Sequence, residues 1–363
     1  MTMVAAVLHG FGSAFAIEPL TIDQPRRNEV QVRMAATGIC QTDVKWSSSD
    51  HGLPLPLVMG HEGAGIITAV GDEAGDLAIG DHVVLSYASC GSCPSCLAAK
   101  PYHCDNIGAR NMRCTRDDGT TALARGEERV HSHFFGQSSF AQHANVDARC
   151  VVKVDPKLPL EMMGPLGCGI QTGAGAVLNV FKAGPGSSIA IFGAGAVGLS
   201  AVMAAAVAGA TTIIAVDTIE SRLALALELG ATHVIDARRE DGEAAILRLK
   251  PGGVDYSLDT TGSSKVVSQA CAVLASAGTC GIVSSSEELA IAPGRLVRKG
   301  LRIHGISEGE SNPQIFIPRL IELYAAGRFP FDRLITFYPF DEINQAVADA
   351  RAGKAIKPVL RFA

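Results

Sequence analysis

The chain has 363 residues, which is enough for two domains that each bury a core. Lysine and arginine total 31 against 36 acidic residues, and the net charge of −5 comes without a basic block, which disfavours nucleic acid and anionic membranes as partners. Ten cysteines are too few for a disulfide-rich scaffold, and residues 1–10 show no features of a secretion signal, so we expect a cytoplasmic protein.

The first 150 residues predict an irregular β-rich domain. Val30, Val32 and Met34 alternate with polar residues, as in a strand with one buried face. Residues 66–67 and 83–85 are short apolar runs bounded by glycine and aspartate, which favours further short strands.

Four cysteines lie close together in this part of the chain. They read C-G-S-C-P-S-C, then seven residues and a fourth cysteine: Cys90, Cys93, Cys96 and Cys104. Thiolates at this spacing can close a tetrahedral cage that suits zinc or an iron–sulfur centre. A disulfide framework is the alternative, but adjacent C-x2-C pairs bridge poorly and the expected compartment is reducing. We predict a structural metal site, and favour zinc because no second electron-transfer signal flanks it.

Residues 105–133 are rich in charged side chains, and their composition predicts a long polar connection. From about Ile170 the pattern changes to alternating strands and helices. A clear helix at 221–229 ends before Gly230. The predicted strands are 189–192, 212–216, 233–236, 254–259, 279–284 and 301–306. Strands joined by crossover helices indicate a doubly wound parallel sheet.

The longest apolar stretch, Leu199 to Val216, has the length of a membrane span. Gly209, Thr211 and Thr212 interrupt it and divide it into an alanine-rich helix and a strand. We therefore predict no membrane segment here. Residues 312–363 predict two amphipathic helices.

A dinucleotide-binding fingerprint opens the helix after the first of these strands. The sequence G-A-G-A-V-G spans Gly193, Gly195, Ala196, Val197 and Gly198. The first glycine permits the turn, the second admits a pyrophosphate and the third allows close helix–strand packing.

Asp217 ends the next predicted strand, where a carboxylate can accept hydrogen bonds from the adenosine ribose. Because such an acid repels a 2′-phosphate, we predict NAD rather than NADP. A turn aspartate is the alternative for Asp217, and the nearby Arg222 weakens the preference slightly.

Five motifs in a fixed order resemble the zinc-dependent alcohol dehydrogenases of the medium-chain dehydrogenase/reductase superfamily. They are G-I-C-Q-T-D at 38–43, G-H-E-G-A-G at 60–65, the four cysteines, G-C-G at 167–169 and the glycine fingerprint. The resemblance covers essentially the whole chain. It implies an α/β protein with a GroES-like catalytic domain (1–169), a Rossmann coenzyme domain (170–306) and a C-terminal return to the first domain (307–363).

The same resemblance assigns a catalytic zinc in addition to the structural one, giving two zinc ions per subunit. Its implied ligands are Cys40, His61 and Cys168, with the fourth position open for water or substrate. Asp43 matches the carboxylate that orients the histidine ligand. Long separations in sequence prevent spacing alone from uniting the three ligands.

Further roles follow from the resemblance. Thr42 matches the hydroxyl that receives the alcohol proton, and Glu62 resembles the acid that approaches zinc during ligand exchange. Some members carry a histidine where this chain has Lys45. This lysine either passes the proton to solvent or binds cofactor while water completes the relay.

Two longer runs, 133–140 and 164–179, look like those of the aryl-alcohol (benzyl alcohol) and geraniol dehydrogenase branch. This alignment implies a substrate pocket lined by Ser86, Tyr87, Phe134 and Phe135. Paired phenylalanines that simply fill a core are the alternative, and if the two lie on a strand, only one faces substrate. We therefore predict an NAD-linked enzyme that oxidises a primary aromatic or allylic alcohol reversibly, assembled as a homodimer or homotetramer.

Three alternatives remain at this stage. A glutathione-dependent formaldehyde dehydrogenase needs anion-binding residues, for which the arginines of 105–133 are the candidates. A general aliphatic alcohol dehydrogenase is the second alternative. A catalytically silent relative of the crystallin or quinone-reductase type would have lost zinc, which the intact ligand set disfavours.

Overall fold

The computed structural model describes residues 1–284 and 293–362. The first part of the chain is mostly short strands. Its strands are β1 (Thr2–Leu8), β2 (Ala16–Ile22), β3 (Glu29–Gly38), β4 (Leu57–Val58), β5 (Glu62–Val70), β6 (His82–Leu85), β7 (Leu123–Arg125), β8 (Glu128–Val130), β9 (His143–Asp147) and β10 (Val151–Val154). Its helices are α1 (Gln41–Ser48), α2 (Pro94–Leu97) and α3 (Ile107–Met112).

The middle part alternates helices and strands. Its helices are α4 (Gly169–Gly175), α5 (Ala196–Ala208), α6 (Glu220–Glu228), α7 (Gly242–Leu249), α8 (Ser264–Ala272) and α9 (Pro293–Lys299). Its strands are β11 (Ser188–Phe192), β12 (Thr212–Asp217), β13 (His233–Asp236), β14 (Val254–Asp259), β15 (Leu274–Ile282) and β16 (Arg302–Gly305). The last part contains α10 (Pro313–Ala325), β17 (Ile335–Pro339), α11 (Ile343–Arg351) and β18 (Lys357–Arg361).

One compact unit comprises Met1–Cys168, Asn312–Pro318 and the chain from Asp332 onward. It contains a five-stranded sheet with the order β4-β1-β2-β7-β8, and a larger sheet with the order β10-β6-β5-β3-β18-β17. Strand β3 pairs with β5, β9 and β18, all antiparallel. The C-terminal strand β18 therefore lies beside the strand that leads into Cys40.

The second unit comprises Gly169–Ser311 and Arg319–Phe331. Its sheet has the order β13-β12-β11-β14-β15-β16, and all neighbouring strands are parallel. Apolar side chains from these strands and from α7 and α8 form its core. The order reverses between β11 and β14, which is the position where such sheets bind a dinucleotide. The predicted doubly wound sheet is confirmed.

The spans of the two units differ from the predicted domains at the C-terminal side. Residues 307–311 belong to the second unit because Ser311 donates to the Gln171 side chain at 2.9 Å and Asn179 donates to the Gly309 carbonyl at 3.2 Å. Residues 319–331 also group with the second unit, so the return to the first unit consists of 312–318 and the chain from Asp332 onward.

The prediction of a long loop at 105–133 was wrong in part. This segment contains α3 and the hairpin β7–β8, which extends the five-stranded sheet. Its charged composition misled the prediction because the side chain of Arg116 is buried, paired with the carboxylates of Asp23 and Glu29.

The apolar stretch Leu199–Val216 divides into helix α5 and strand β12, as predicted. None of the helices within 1–284 and 293–362 has both the length and the hydropathy of a membrane span.

Arg116 and Glu29 form the centre of a buried ion cluster in the first unit. Nε and Nη2 of Arg116 donate to the two carboxylate oxygens of Glu29 at 2.7 and 2.9 Å, and Nη1 and Nη2 donate to Asp23 at 2.8 and 2.9 Å. Nε2 of His133 lies 3.2 Å from Glu29. Burial acts to raise the pKa of Glu29, but the hydrogen bonds with His133 and Arg116 lower that pKa to about 2.

We expect Glu29 to make folding sensitive to acid. Because its folded-state pKa lies below the ordinary 4.5, its contribution to stability is complete above that value and is lost as the pH falls toward about 2. The loss is on the order of 3 kcal/mol. Urea denaturation between pH 2 and pH 6 should show a steeper decline for the wild type than for Glu29→Gln.

The matched control is Glu73→Gln, because Glu73 forms a surface pair with Arg27. Its pH profile should run parallel to that of the wild type. Equal pH slopes for Glu29→Gln and the wild type would contradict the prediction.

Candidate metal and coenzyme sites

The first unit brings the predicted catalytic ligands together from three separate segments. Cys40 caps the N-terminus of α1, His61 directly precedes β5, and Cys168 follows the 3₁₀ helix Gly164–Gly167. One ligand atom from each of these residues and from Glu62 lies within 4.8 Å of the other three. Residues more than 100 positions apart in sequence therefore form one cluster.

Only one of the two imidazole nitrogens of His61 forms a hydrogen bond with the described residues. Nδ1 donates to Oδ1 of Asp43 at 3.0 Å, and both side chains are fully buried. Nε2 is also buried and has no hydrogen-bond partner among the described residues. A buried nitrogen with no partner beside two thiols fits a metal ligand, and two sulfurs with one imidazole are a zinc ligand set that leaves a fourth position.

The electrostatics of the cluster favour the metal-binding form of Cys40 but not that of His61, whose imidazole must release its second proton before Nε2 can bind a metal. A hydrogen bond with the Cys168 thiol holds the pKa of Cys40 well below its usual value, although burial acts to raise it. Burial lowers the pKa of His61, but the neighbouring Asp43 carboxylate more than offsets this and raises it well above the ordinary value. Thiolate is the form of cysteine that binds zinc.

Glu62 is held by a residue that the sequence analysis missed. Nζ of Lys357 donates to both carboxylate oxygens of Glu62 at 2.7 and 2.8 Å and to the Ile39 carbonyl at 3.3 Å, and both charged groups are buried. Gly38 leaves room for this pair, because a Cβ there would lie 2.1 Å from Oε2 of Glu62. The available signal was a lysine at the start of the apolar strand β18.

Phe134 and Phe135 do not lie on a strand, and the expectation that they point opposite ways was wrong. They belong to a 3₁₀ helix, Phe134–Gly136, in which Phe135 has a φ of 51°. Both rings contact His61: Phe135 stacks on it with ring centroids 4.3 Å apart, and Phe134 meets it edge-on at 5.6 Å. This segment therefore packs against the metal-ligand cluster itself.

The other two predicted pocket residues are buried as well. Oγ of Ser86 donates to the carbonyl of Gly167 at 2.7 Å, next to Cys168. Tyr87 belongs to the main hydrophobic core of this unit. Ser86 thus helps to position the segment that carries the third ligand.

Thr42 and Lys45 lie on α1, three residues apart and therefore on neighbouring positions of one helix face. Thr42 is half-buried and Lys45 is exposed. Their roles in proton transfer stay predictions.

The four-cysteine segment folds into the predicted cage. One sulfur from each of its cysteines lies within 4.8 Å of the others, and none of these cysteines forms a disulfide. The backbone N–H of Cys93 donates to Sγ of Cys90 at 3.3 Å, and that of Cys90 donates to Sγ of Cys104 at 3.2 Å. The backbone N–H groups of Ser92 and Cys93 lower the pKa of Cys90 to about 5, which favours its metal-binding thiolate.

In the second unit, the three fingerprint glycines meet three different constraints. Gly193 has a φ of 93°, and a Cβ on Gly198 would lie 1.8 Å from the Gly193 carbonyl oxygen. A Cβ on Gly195 would meet nothing within 4 Å, so open space lies beside the N-terminus of α5. Ala196 and Val197 form the first turn of that helix, whose backbone N–H groups and dipole suit a pyrophosphate.

Asp217 organises the backbone around this loop. Its carboxylate accepts hydrogen bonds from the backbone N–H groups of Ala194 at 2.6 Å, Thr218 at 2.7 Å and Ile219 at 2.8 Å. Arg222 lies half-buried in the first turn of α6. The turn interpretation of Asp217 is therefore correct, and a ribose contact stays a prediction that is compatible with it.

Asp259 and Thr260 are further residues at this edge of the sheet that the sequence analysis missed. Oγ1 of Thr260 donates to the carbonyls of Phe192 and Gly193 at 2.9 and 3.2 Å, which ties the glycine loop to the end of β14. Asp259 is buried and accepts from the Gly262 backbone N–H at 3.1 Å. The signal was a D-T-T-G turn at the end of a predicted strand.

Models of two known protein families match this chain, one in its β-rich N-terminal part and one in its part with the parallel sheet. Residues 26–156 match the alcohol dehydrogenase GroES-like domain, and residues 196–326 match the zinc-binding dehydrogenase family. Geraniol dehydrogenase from Castellaniella defragrans is 46% identical over 99% of this chain and 97% of its own length. The chain belongs to the zinc-binding alcohol dehydrogenases.

Two solved structures of these dehydrogenases match closely. An alcohol dehydrogenase zinc-binding domain protein from Burkholderia ambifaria has a TM-score of 0.98 at 50% identity, covering 100% of this chain and 99% of its own. Benzyl alcohol dehydrogenase from Acinetobacter calcoaceticus has a TM-score of 0.97 at 45% identity, with 100% of both chains covered. The family resemblance that the motifs indicated is confirmed, and so is the predicted fold class.

We expect Lys357→Met to destabilise the protein by about 3 to 5 kcal/mol, because the buried Glu62 carboxylate would lose its partner. The double variant Lys357→Met/Glu62→Gln should recover most of this loss. Urea denaturation of the zinc-loaded protein measures both. Lys354→Met is the control, since Lys354 pairs with Asp349 at the surface, and it should cost about 0.5 kcal/mol or less. A single variant no less stable than this control would contradict the assignment.

Proposed function

We propose that this chain is a zinc-dependent, NAD-linked dehydrogenase that oxidises primary aromatic or allylic alcohols to aldehydes, in a reversible reaction. The observation that carries the proposal is the buried Nε2 of His61, which has no hydrogen-bond partner among the described residues and lies in a cluster with the thiols of Cys40 and Cys168. Zinc bound there supplies Lewis-acid chemistry that lowers the pKa of an alcohol.

In this proposal, residues of the chain hold the ligands and move the proton. Asp43 keeps the proton on Nδ1 of His61 and so leaves Nε2 to coordinate. Thr42 receives the alcohol proton, and Lys45, three residues further along α1, passes it toward solvent or binds the cofactor. Glu62 stays near the ligands while Lys357 neutralises its charge.

The coenzyme proposal depends on the open space at Gly195 and on Asp217. The backbone N–H groups at the start of α5 fit a pyrophosphate, and the carboxylate at the end of β12 fits ribose hydroxyls while repelling a 2′-phosphate. NAD is therefore favoured over NADP.

The substrate proposal rests on two aromatic rings at the metal-ligand cluster, Phe134 and Phe135. The names of two relatives, a geraniol dehydrogenase and a benzyl alcohol dehydrogenase, support it. The glutathione-dependent alternative loses support because four of the five arginines of 105–133 already pair with carboxylates: Arg110, Arg113, Arg116 and Arg125.

The experiment that tests the substrate class compares benzyl alcohol with ethanol at saturating NAD+. Burying a phenyl group rather than a methyl favours binding by about 2 kcal/mol, which should raise kcat/KM more than about tenfold if the contact persists in the transition state. Equal values of kcat/KM, or a preference for ethanol, would refute the aromatic substrate while leaving the zinc dehydrogenase proposal intact.

We expect two zinc ions per chain. Cys168→Ala should lose one of them and abolish turnover, yet retain NAD+ affinity within about twofold, because Cys168 lies in the other unit from the glycine loop. Cys93→Ala should instead lower the unfolding temperature. Metal analysis by mass spectrometry and NAD+ titration check both variants, and a wild type with a single zinc ion would overturn the mechanism.

Asp217→Asn should raise kcat/KM with NADP+ relative to NAD+ by about tenfold, because it removes the charge that repels the 2′-phosphate. Asparagine keeps an oxygen that can accept from Thr218 and Ile219. The unfolding temperature serves as the control for the lost bond to Ala194. An unchanged cofactor ratio would show that Asp217 serves only the turn.

A further inference from the structure

We propose that Gln137 is a positioning residue for the three-ligand metal centre, a role that rests on the proposed function in so far as the centre binds zinc. Its side chain holds the short peptide segment that carries His61 and Glu62. It thereby fixes the histidine ligand from the backbone side, while Asp43 fixes it from the ring side.

The side-chain amide of Gln137 bridges the backbone on both sides of Glu62. Nε2 donates to the His61 carbonyl at 2.9 Å, and Oε1 accepts from the Gly63 N–H at 3.1 Å. The same Nε2 donates to the Ser86 carbonyl at 3.2 Å, and Ser86 is bonded to the segment before Cys168. The side chain is 1% exposed, so these hydrogen bonds form out of contact with water, where an amide that lost them would be costly.

The segment around Gln137 lies beside the segment that carries His61 and is hydrogen-bonded to it through the backbone. The backbone N–H groups of Ser139 and Phe140 donate to the carbonyls of Gly60 and Met59 at 3.0 and 2.9 Å. The ring of Phe135 stacks on His61. Three kinds of contact therefore define the position of His61. They are the backbone hydrogen bonds to Met59 and Gly60, the amide bridge of Gln137 and the stacked ring of Phe135.

The backbone of this segment adopts conformations that few residues accept. His133, Phe135 and Ser138 have φ values of 67°, 51° and 56°. Non-glycine residues remain in this left-handed region only where surrounding contacts fix them, and such residues concentrate at functional sites. The hydrogen bonds of Gln137 and of Ser138, whose Oγ donates to the Val58 carbonyl at 2.6 Å, are contacts of this kind.

A second buried glutamine in the same unit provides a matched control. Nε2 of Gln31 donates to the Asp23 carbonyl at 3.2 Å and to Oδ1 of Asn145 at 3.0 Å, and its side chain is also buried. Gln31→Met and Gln137→Met therefore each remove buried amide hydrogen bonds from the first unit. Only Gln137→Met removes bonds to the ligand segment.

The experiment measures the affinity of the full-length chain for each of its two zinc ions by competition with a chromophoric chelator. It also records the ligand-field absorption after cobalt(II) replaces zinc. In Gln137→Met we expect the affinity for one ion to fall about tenfold or more and the cobalt absorption to change. Gln31→Met should keep the wild-type affinity for both ions and the wild-type cobalt absorption, even if it lowers the unfolding temperature as much as Gln137→Met does.

If Gln137→Met does not fold, Gln137→Glu replaces it, since it keeps the length of the side chain and the oxygen that accepts from Gly63. Because its carboxylate places an oxygen against the carbonyls of His61 and Ser86, a loss of zinc affinity of about tenfold or more and a changed cobalt absorption are expected there as well. Wild-type affinity and absorption in a folded variant would overturn the positioning role alone. A wild type that binds only one zinc ion would overturn the proposed function together with it.

Discussion

One buried carboxylate, Asp43, sets the geometry on which the metal centre depends. Oδ1 accepts from the His61 ring at 3.0 Å, and Oδ2 accepts from the Cys40 backbone N–H at 2.9 Å, so a single group orients two of the three ligands. The side chains of Asp43 and His61 are both buried, so the hydrogen bond between them forms where the effective dielectric constant is low and is strong. The choice of Nε2 as the free nitrogen follows directly from this contact.

The cluster also concentrates negative charge, and this explains the position of Lys357. Two cysteine ligands lie close to the buried carboxylates of Asp43 and Glu62, and buried negative charge is unfavourable unless cations offset it. The ammonium of Lys357 offsets Glu62, and a bound dication would offset the thiolates. Strand β18 returns beside β3 and so delivers this lysine from the end of the chain to the start of the site.

What residue patterns alone predicted correctly is chemistry carried by contiguous residues, whereas the separated ligands Cys40, His61 and Cys168 were predicted only through the family resemblance. The glycine loop and the four-cysteine cage each lie within a short segment, so local backbone rules describe them. Lys357 and Glu62 are 295 residues apart and Gln137 and His61 are 76 apart, and no local pattern records such pairs. The expectation that only one of Phe134 and Phe135 faces substrate assumed a strand, but tertiary contacts hold Phe135 in a left-handed conformation. The arginines of 105–133 appeared solvent-exposed by composition, although Arg116 is buried against acids brought from the N-terminal part of the chain.

The two candidate metal sites need different numbers of supporting contacts from the rest of the protein. Four thiolates satisfy a tetrahedral ion completely, so the ion itself can order the loop. The hydrogen bonds found at its sulfurs come from the four-cysteine segment itself, from the backbone N–H groups of Cys90 and Cys93 and the hydroxyl of Ser92. Three ligands leave one position open and cannot fix their own arrangement around the ion. The substrate must bind at that open position. Contacts from the protein therefore have to fix the three ligands, because no fourth ligand does so. The buried contacts of Asp43, Lys357 and Gln137 lie at the open site for this reason, and they are the part of the structure that chemistry with an alcohol demands.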